Sequence, residues 1–296
     1  MFVGMGHTAS IAELSDDALR AMECAHEVVG DGVVHIRTGS AFVFRKDDIL
    51  VRVERPGVAH EDVRSHGVAA SRLREGGIGS PRLIAPLQTT STGRVVSLWN
   101  WVEHDPESCD IRTLGATLAG VHRTPTSGLP PFNPLRSARV RLSQSHHLMT
   151  ADEQHFLDQA LARAEHLASA VRRMNCFIHG DFNTSNILNA PARPVVIDFE
   201  YVGIGNPAWD VAKVAHRSHR FAGHPAADFD EYYGAYRAAG GIAELDQLDD
   251  MLSVIDVRST IWCVSSRAFS PWFASESEVR LETLRNPEAT TRWTAL

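Results

Sequence analysis

From Cys176 the chain reads CFIHGDFNTSNILNAPARPVVIDFEYVGIGNPAWDVAKV, and three groups of residues in this stretch could do chemistry. His179-Gly180-Asp181 is followed five residues after the aspartate by Asn186. An apolar run, Val195-Val196-Ile197, ends in Asp198, and Gly205-Asn206-Pro207-Ala208-Trp209-Asp210 comes next. Phosphoryl transfer asks little covalent chemistry of a protein. It needs a carboxylate to orient an attacking hydroxyl and accept its proton, and oxygen ligands that hold Mg²⁺ against the β- and γ-phosphates. Asp181, Asn186 and Asp198 supply groups of that kind. An Asn five positions beyond the Asp, on a tight loop, can turn back toward the same cavity, and an Asp at a strand end reaches in from a neighbouring segment, so one metal could touch both. H-x-D-x₄-N alone arises in about one or two sequences in a hundred of this length. The order of all three groups therefore carries the signal.

Elements on both sides must position these residues. Ser15 followed by Leu19, Met22, His26 and Val29 reads as a capped amphipathic helix stopped by Gly30. Three short β-rich runs follow, Val33–Arg37, Ala41–Arg45 and Ile49–Glu54, as an antiparallel meander. His60 to Glu75 has a helical pattern ending at Gly76-Gly77, and Pro81–Ala85 and Arg94–Trp99 read as two further strands. After Trp99 the pattern turns helical: Asp110–Arg123 carries Leu114, Leu118 and Val121 on one face, and Thr150-Ala151-Asp152-Glu153 is a capping box opening a helix to about Arg173. Pro125, Pro130, Pro131 and Pro134 mark an extended loop between them.

The length of 296 residues is about twice that of a modal domain, so two domains or one fold with two lobes is expected. A 44% hydrophobic, 22% charged composition excludes a disordered or fibrous chain. A formal net charge of −7 argues against a general nucleic-acid binder. Cys24, Cys109, Cys176 and Cys263 have neither metal-ligand spacing nor a disulfide-scaffold pattern, which suits a reducing cytoplasm. The opening MFVGMGHTASIAEL has no basic n-region, and no stretch is apolar enough to span a membrane, so the expectation is an unsecreted, cytoplasmic protein. Lys46 and Lys213 are the only lysines.

The 179–210 stretch resembles the aminoglycoside phosphotransferase and choline kinase-like family, whose members have the protein-kinase fold. H-G-D in place of H-R-D, I-D-F-E where protein kinases carry D-F-G, and the following G-x-G-N-P-x-W-D-V-A are features of these small-molecule kinases. Leu114-Gly115-Ala116-Thr117-Leu118-Ala119-Gly120-Val121-His122 resembles the family's helix after the lobe junction. The resemblance implies an α+β, bilobal protein-kinase-like fold. A small five-stranded antiparallel lobe with one main helix would occupy residues 1–100, and a larger, mainly helical lobe residues 101–296. The implied activity is ATP- or GTP-dependent transfer of the γ-phosphate to a small-molecule hydroxyl. Asp181 would be the catalytic base, Asn186 and Asp198 the Mg²⁺ ligands, His179 the brace of the catalytic loop and Asp210 its anchor. Asn206 and Pro207 have a local explanation as helix-start residues.

In kinases the third strand carries a lysine that holds the α- and β-phosphates and pairs with a helix glutamate. Here the strand offers Arg52, assigned to nucleotide phosphate, with a solvated strand residue as the other reading. Its acidic partner is open: His66 occupies the usual glutamate position, and Glu61 and Asp62 lie one turn earlier. Thr38-Gly39-Ser40 is a minimal phosphate-covering turn in which backbone N–H groups, Ser40 included, could meet phosphate. Trp99-Asn100-Trp101-Val102 sits where the family's hinge holds the purine, implicating Asn100 and Val102.

Residues 226–250 hold seven acids against Arg237, a wall that would favour a cationic acceptor, a solvated helix face being the other reading. Trp209, Tyr232, Tyr233, Tyr236, Trp262, Trp272 and Phe273 either line an acceptor pocket or form core. A non-catalytic nucleotide-binding module is the competing function. A protein kinase fits worse, because there is no D-F-G and no room for an activation loop between Gly203 and Asp210.

Overall fold

The computed structural model describes residues 14–222, 226–286 and 291–294. The reading of the first residues as lacking a leader lies outside them. Among the described residues the elements are α1 (Asp16–Val29), β1 (Val34–Thr38), β2 (Ala41–Lys46), β3 (Ile49–Glu54), α2 (His60–Glu75), β4 (Gln88–Thr89), β5 (Val95–Asn100), α3 (Ile111–His122) and α4 (Arg136–Gln144). There follow α5 (Ala151–Ala170), β6 (Cys176–Ile178), β7 (Ile187–Leu188), β8 (Val195–Val196), β9 (Gly203–Gly205), α6 (Ala208–Arg220), α7 (Ala226–Ala238), α8 (Leu248–Ser265) and α9 (Pro271–Arg285). The chain forms two compact units. The first takes the described part of Met1–Asp110 with Thr124–Pro130 and Thr184–Val202; the second takes Ile111–Arg123, Pro131–Asn183 and the described part of Gly203–Leu296.

The first unit is built on a five-stranded antiparallel sheet of order β1-β2-β3-β5-β4. Ser15 caps α1, its hydroxyl accepting from the Ala18 N–H at 3.3 Å. Ala18, Ala21, Met22 and Ala25 of α1 pack on Phe42, Phe44, Val51, Val53 and Val96, which share one sheet face. The period of two then places Arg52 and Glu54 on the opposite face of β3. One expected strand is displaced. Residues 81–85 keep a single bridge, Leu83 to Trp99, and two backbone bonds to β5, Ile84 N–H to Leu98 C=O at 2.9 Å and Asn100 N–H to Arg82 C=O at 3.0 Å, while Gln88–Thr89 supplies the fifth strand. Pro81 and Pro86 bound that run and cannot donate to a ladder. The same unit contains the β7–β8 hairpin, with Ile187 opposite Val196.

The second unit is mainly helical, with the short antiparallel pair β6–β9. Thr150 and Glu153 form the capping box at the start of α5, and Val171 turns extended after it. α3 and α7 pack closely because Gly115 has no side chain: a Cβ there would run into the Tyr232 backbone. Tyr232 and Tyr236 are fully buried, and Trp209 and Phe273 nearly so, which makes these aromatics core. The proline-rich stretch is a loop with turns at residues 127–128 and 134–135, and it is followed by α4, which the sequence pattern did not announce. Among the described residues no helix is long and apolar enough to cross a membrane.

Candidate active site

In the second unit, β6 delivers the chain into the loop His179-Gly180-Asp181. Its backbone is held by one buried carboxylate: Asp210 accepts the N–H of His179 at 2.8 Å and of Gly180 at 2.7 Å. Gly180 lies at φ 80°, where a side chain would be strained. Asp210 is itself held from behind. The Tyr236 hydroxyl accepts from the Ile242 and Ala243 N–H groups at 3.0 and 2.8 Å, so its own proton points to His122 Nδ1 at 2.9 Å, leaving His122 Nε2–H to donate to Asp210 at 3.2 Å. His179 is fully buried, accepts the Asp181 N–H on Nδ1 at 3.3 Å and stacks edge-on against Phe182. Asn206 Oδ1 accepts the Ala208 N–H at 3.0 Å, the local helix-start role expected of it.

Asp181 sits among cations. Lys213 Nζ lies 2.9 Å from its Oδ1, and Arg258 Nη1 donates to the Gly180 carbonyl at 3.1 Å. Burial works against the Asp181 charge, but the charges of Lys213 and Arg258 and the Lys213 hydrogen bond outweigh it, so the carboxyl is held well below the usual range and is ionised at neutral pH. Burial in turn pushes the Lys213 ammonium down, and Asp181 resists. Sequence reasoning missed these partners. Asp210, Lys213 and Arg217 recur at three and four residues on one face of α6, a spacing visible in the sequence, whereas Arg258 comes from α8 with no local signal.

In the first unit, Arg52 is the centre of a carboxylate cluster. Its Nε donates to Glu54 Oε1 at 2.7 Å, Nη2 donates to Glu200, and Nη1 lies 3.6 Å from Asp198 Oδ1. Burial opposes its charge, but Glu200, Glu54 and Asp198 raise its pKa well above the ordinary value. Glu200 is lowered against its burial by Arg52 and Ser40, while Glu54, the most buried of the three, is raised by burial in spite of Arg52. The acidic partners of Arg52 are therefore Glu54 and Glu200, with Asp198. Neither Glu61, which pairs with Arg64 at 3.0 Å, nor Asp62 fills that role. His66 is buried, and burial and the Arg52 charge push it down to about 4, so it is a neutral packing group. Arg52 and Glu54 alternate on one strand face and Glu200 closes I-D-F-E, two signals available before the fold was known.

Asn186 and Asp198 come from adjacent segments of this unit. Asn186 ends a 3₁₀ turn, Thr184–Asn186, is buried, and its carbonyl accepts the Ile197 N–H at 3.0 Å, so the two residues flank the β7–β8 hairpin. Asp198 lies at φ 68°, a conformation Asp tolerates better than most residues and one found where a carboxylate is aimed by its surroundings. Its ion pairs to Arg52 and Arg37, 3.6 and 3.8 Å, are longer than hydrogen bonds. A carboxylate and a carboxamide are the hard oxygen donors Mg²⁺ takes. Among the described residues no group of three or more His, Cys, Asp or Glu side chains could hold a metal ion together.

In the turn at residues 38–40 the Ser40 hydroxyl donates to Glu200 and the Gly39 N–H donates to the Ala41 carbonyl at 2.9 Å. Asn100 is stitched to Arg82: its N–H donates to the Arg82 carbonyl at 3.0 Å and its Oδ1 accepts the Arg82 N–H. The Val102 carbonyl lies 2.9 Å from His104 Nδ1.

An antiparallel five-stranded unit carrying the Arg52 cluster, and a helical unit carrying a buried H-G-D loop, define an α+β protein-kinase-like fold of the small-molecule phosphotransferase type. The model of the phosphotransferase enzyme family matches residues 33–247, and the chain belongs to this family. It is an enzyme that transfers a phosphoryl group to a hydroxyl of a small molecule. Solved structures agree on the fold at low identity. An amicoumacin kinase in complex with AMP-PNP, Ca²⁺ and Ami matches with a TM-score of 0.73 at 10% identity, over 94% of this chain and 96% of that one. A choline/ethanolamine kinase family protein from Mesorhizobium loti matches with a TM-score of 0.62 at 16% identity, over 90% and 92%. The GDP and kanamycin complex of APH(2")-IIia matches with a TM-score of 0.61 at 15% identity, over 92% and 100%. No curated protein matches by sequence.

Proposed function

We propose that the protein is an O-phosphotransferase that moves the γ-phosphoryl group of ATP or GTP to a hydroxyl of a small molecule in the cytoplasm. The hydroxyl gives its proton to the Asp181 carboxylate as its oxygen forms the new bond to phosphorus, and the bond from phosphorus to the β-phosphate oxygen breaks to leave the nucleoside diphosphate. His179 braces the Asp181 backbone, and Asp210 fixes the loop. Asn186 and Asp198 would hold Mg²⁺, whose charge, when it is bound, neutralises phosphate oxygens. Arg52 aims Asp198 and meets the nucleotide phosphates, the Ser40 backbone N–H is offered to them, and the backbone at Val102 receives the base, the Asn100 N–H being committed to Arg82.

The observation that carries this reading is the Asp181 carboxyl, paired with Lys213 at 2.9 Å and 30% exposed at its side chain, on a loop whose backbone is tied to a buried Asp210. A hydroxyl-orienting carboxylate needs that combination of fixed position, charge and access. The test is mass spectrometry of a mixed panel of hydroxyl compounds incubated with Mg²⁺ and ATP or GTP. A phosphorylated product should form with the wild type, and Asp181→Asn should lower its turnover by about 10²–10⁴-fold with nucleotide binding retained. Equal turnover in that variant removes Asp181 from the role, and absence of both product and nucleotide binding removes the whole reading.

A further inference from the structure

Around Asp181 one cation is left over. Lys213 is paired to the Asp181 carboxylate, and Arg258 donates to the Gly180 carbonyl. Arg217, one turn beyond Lys213 on the same face of α6, is half-buried. Among the described residues its guanidinium meets no carboxylate within ion-pair distance and donates no hydrogen bond; its company is the Phe221 ring at 5.9 Å and the field of Asp181. The next face of the same helix shows the contrasting arrangement. There Arg220 and His216 share Asp256, at 2.6 and 2.9 Å, and that positive charge is matched. Holding a guanidinium with five donors half out of water without an anion is costly, and burial accordingly pushes the Arg217 pKa down while Asp181 pulls it back.

We propose that Arg217 anchors an anionic group, a carboxylate or a phosphate, carried by the acceptor whose hydroxyl Asp181 orients. The inference rests on the phosphotransferase reading and names its substrate class. A guanidinium binds either anion bidentately, so it would fix the acceptor's orientation as well as its charge. Lys213 and Arg258 add to a local positive surplus that repels an ammonium-bearing acceptor from this position. Of the seven acids expected to attract such an acceptor, Glu231 pairs with Arg112, Glu244 lies 3.8 Å from Arg237, and Asp230, Asp246 and Asp249 face solvent.

The test has two arms. In the first, hydroxy acids and sugar phosphates, each beside its neutral amide or parent sugar, are assayed with cationic amino alcohols for phosphorylation by the wild type, Arg217→Gln and Arg217→Lys. Products should come from anionic members, and Arg217→Gln should raise the acceptor KM at least tenfold with the donor KM within about twofold, Arg217→Lys recovering part of the loss. A neutral or cationic product whose KM ignores Arg217→Gln overturns the proposal, as does a rise in donor KM instead, which would place a donor phosphate on Arg217. The second arm needs no turnover. Acetate and inorganic phosphate, added at constant ionic strength without nucleotide, should raise the wild-type Tm, and the rise should vanish in Arg217→Gln but persist in the exposed control Arg64→Gln. No rise, or a rise that survives Arg217→Gln, overturns the anion site. An Arg217-dependent rise with no product from any compound supports the site and counts against the phosphotransferase reading instead.

Discussion

One guanidinium, Arg52, is shared by three carboxylates in the first unit, whereas one carboxylate, Asp181, is held among Lys213, Arg258 and Arg217 in the second. The two clusters are charge inverses. Each central group keeps its charge because oppositely charged neighbours outweigh burial, and each cluster is left with a surplus of the neighbours' sign. In the first cluster three carboxylates, Glu54, Asp198 and Glu200, face two guanidiniums, Arg52 and Arg37, a surplus that suits a cation; a surplus of cations near Asp181 suits an anion. Nucleotide phosphates with Mg²⁺ and an acceptor with an anionic group would satisfy both. The lesson is that an ion-pair network in an enzyme is informative where its charges fail to balance, because the imbalance states the sign of what is to be bound.

Removing the centre of the first cluster should have the larger structural effect. Arg52→Gln leaves Glu54 and Glu200 buried without their cation, a loss of about 3–5 kcal/mol in urea unfolding at pH 7. The sign of its pH dependence sharpens the comparison. Glu54 already has a folded pKa above its ordinary 4.5 because of burial, and loss of Arg52 raises it further. A raised folded pKa contributes stability that is present below the unfolded value and lost as pH rises through the folded one. The variant should therefore recover stability as pH falls from 7 toward 4.5. A variant equally destabilised at pH 5 and pH 7 would mean that Arg52 is not what keeps those carboxylates charged.

The second cluster is probed through its edge. With Lys213 and Arg258 in place, Asp181 stays ionised well below the ordinary carboxylate range, so wild-type kcat/KM should show no acid limb from this group down to pH 5. Lys213→Gln removes the nearest cation and moves the Asp181 pKa upward, so an acid limb should move toward the measured range, with activity at pH 8 affected less than at pH 5. A pH profile superimposable on the wild type would break the symmetry between the clusters, because Lys213 would then not be holding the charge of Asp181.

The residues legible in the sequence were those whose role depends on local order. The H-G-D loop, Asn186, the strand ending in Asp198 and the capping box at Thr150 are set by spacings of one to five residues, and the core strands by a period of two. The charge partners were harder for a physical reason. Glu54 is two residues from Arg52 and was readable as a same-face neighbour, but Glu200 lies 148 residues along the chain from Arg52, and Arg258 lies 78 from Gly180. Such pairs exist only once the fold has closed. The displaced fifth strand shows the converse: Pro81 and Pro86, on either side of an apolar run, outweighed its hydrophobicity.

The smallest expected effect separates a side chain from its backbone. The Ser40 hydroxyl is committed to Glu200, so Ser40→Ala should cost about 0.5–1.5 kcal/mol at pH 7, and the donor KM should stay within about twofold if phosphate is met by the Ser40 N–H. The folded pKa of Glu200 is lowered, burial being outweighed by Arg52 and Ser40. Its contribution to stability is therefore present above 4.5 and is lost as pH falls through the folded pKa. Losing the Ser40 bond makes that depression smaller, so Ser40→Ala has less to lose in acid. The stability gap between wild type and variant should narrow as pH drops from 7 to 3. A gap that stays constant would mean that the hydroxyl does not stabilise the Glu200 charge, and a large rise in donor KM would assign the hydroxyl itself, in place of the backbone, to the nucleotide.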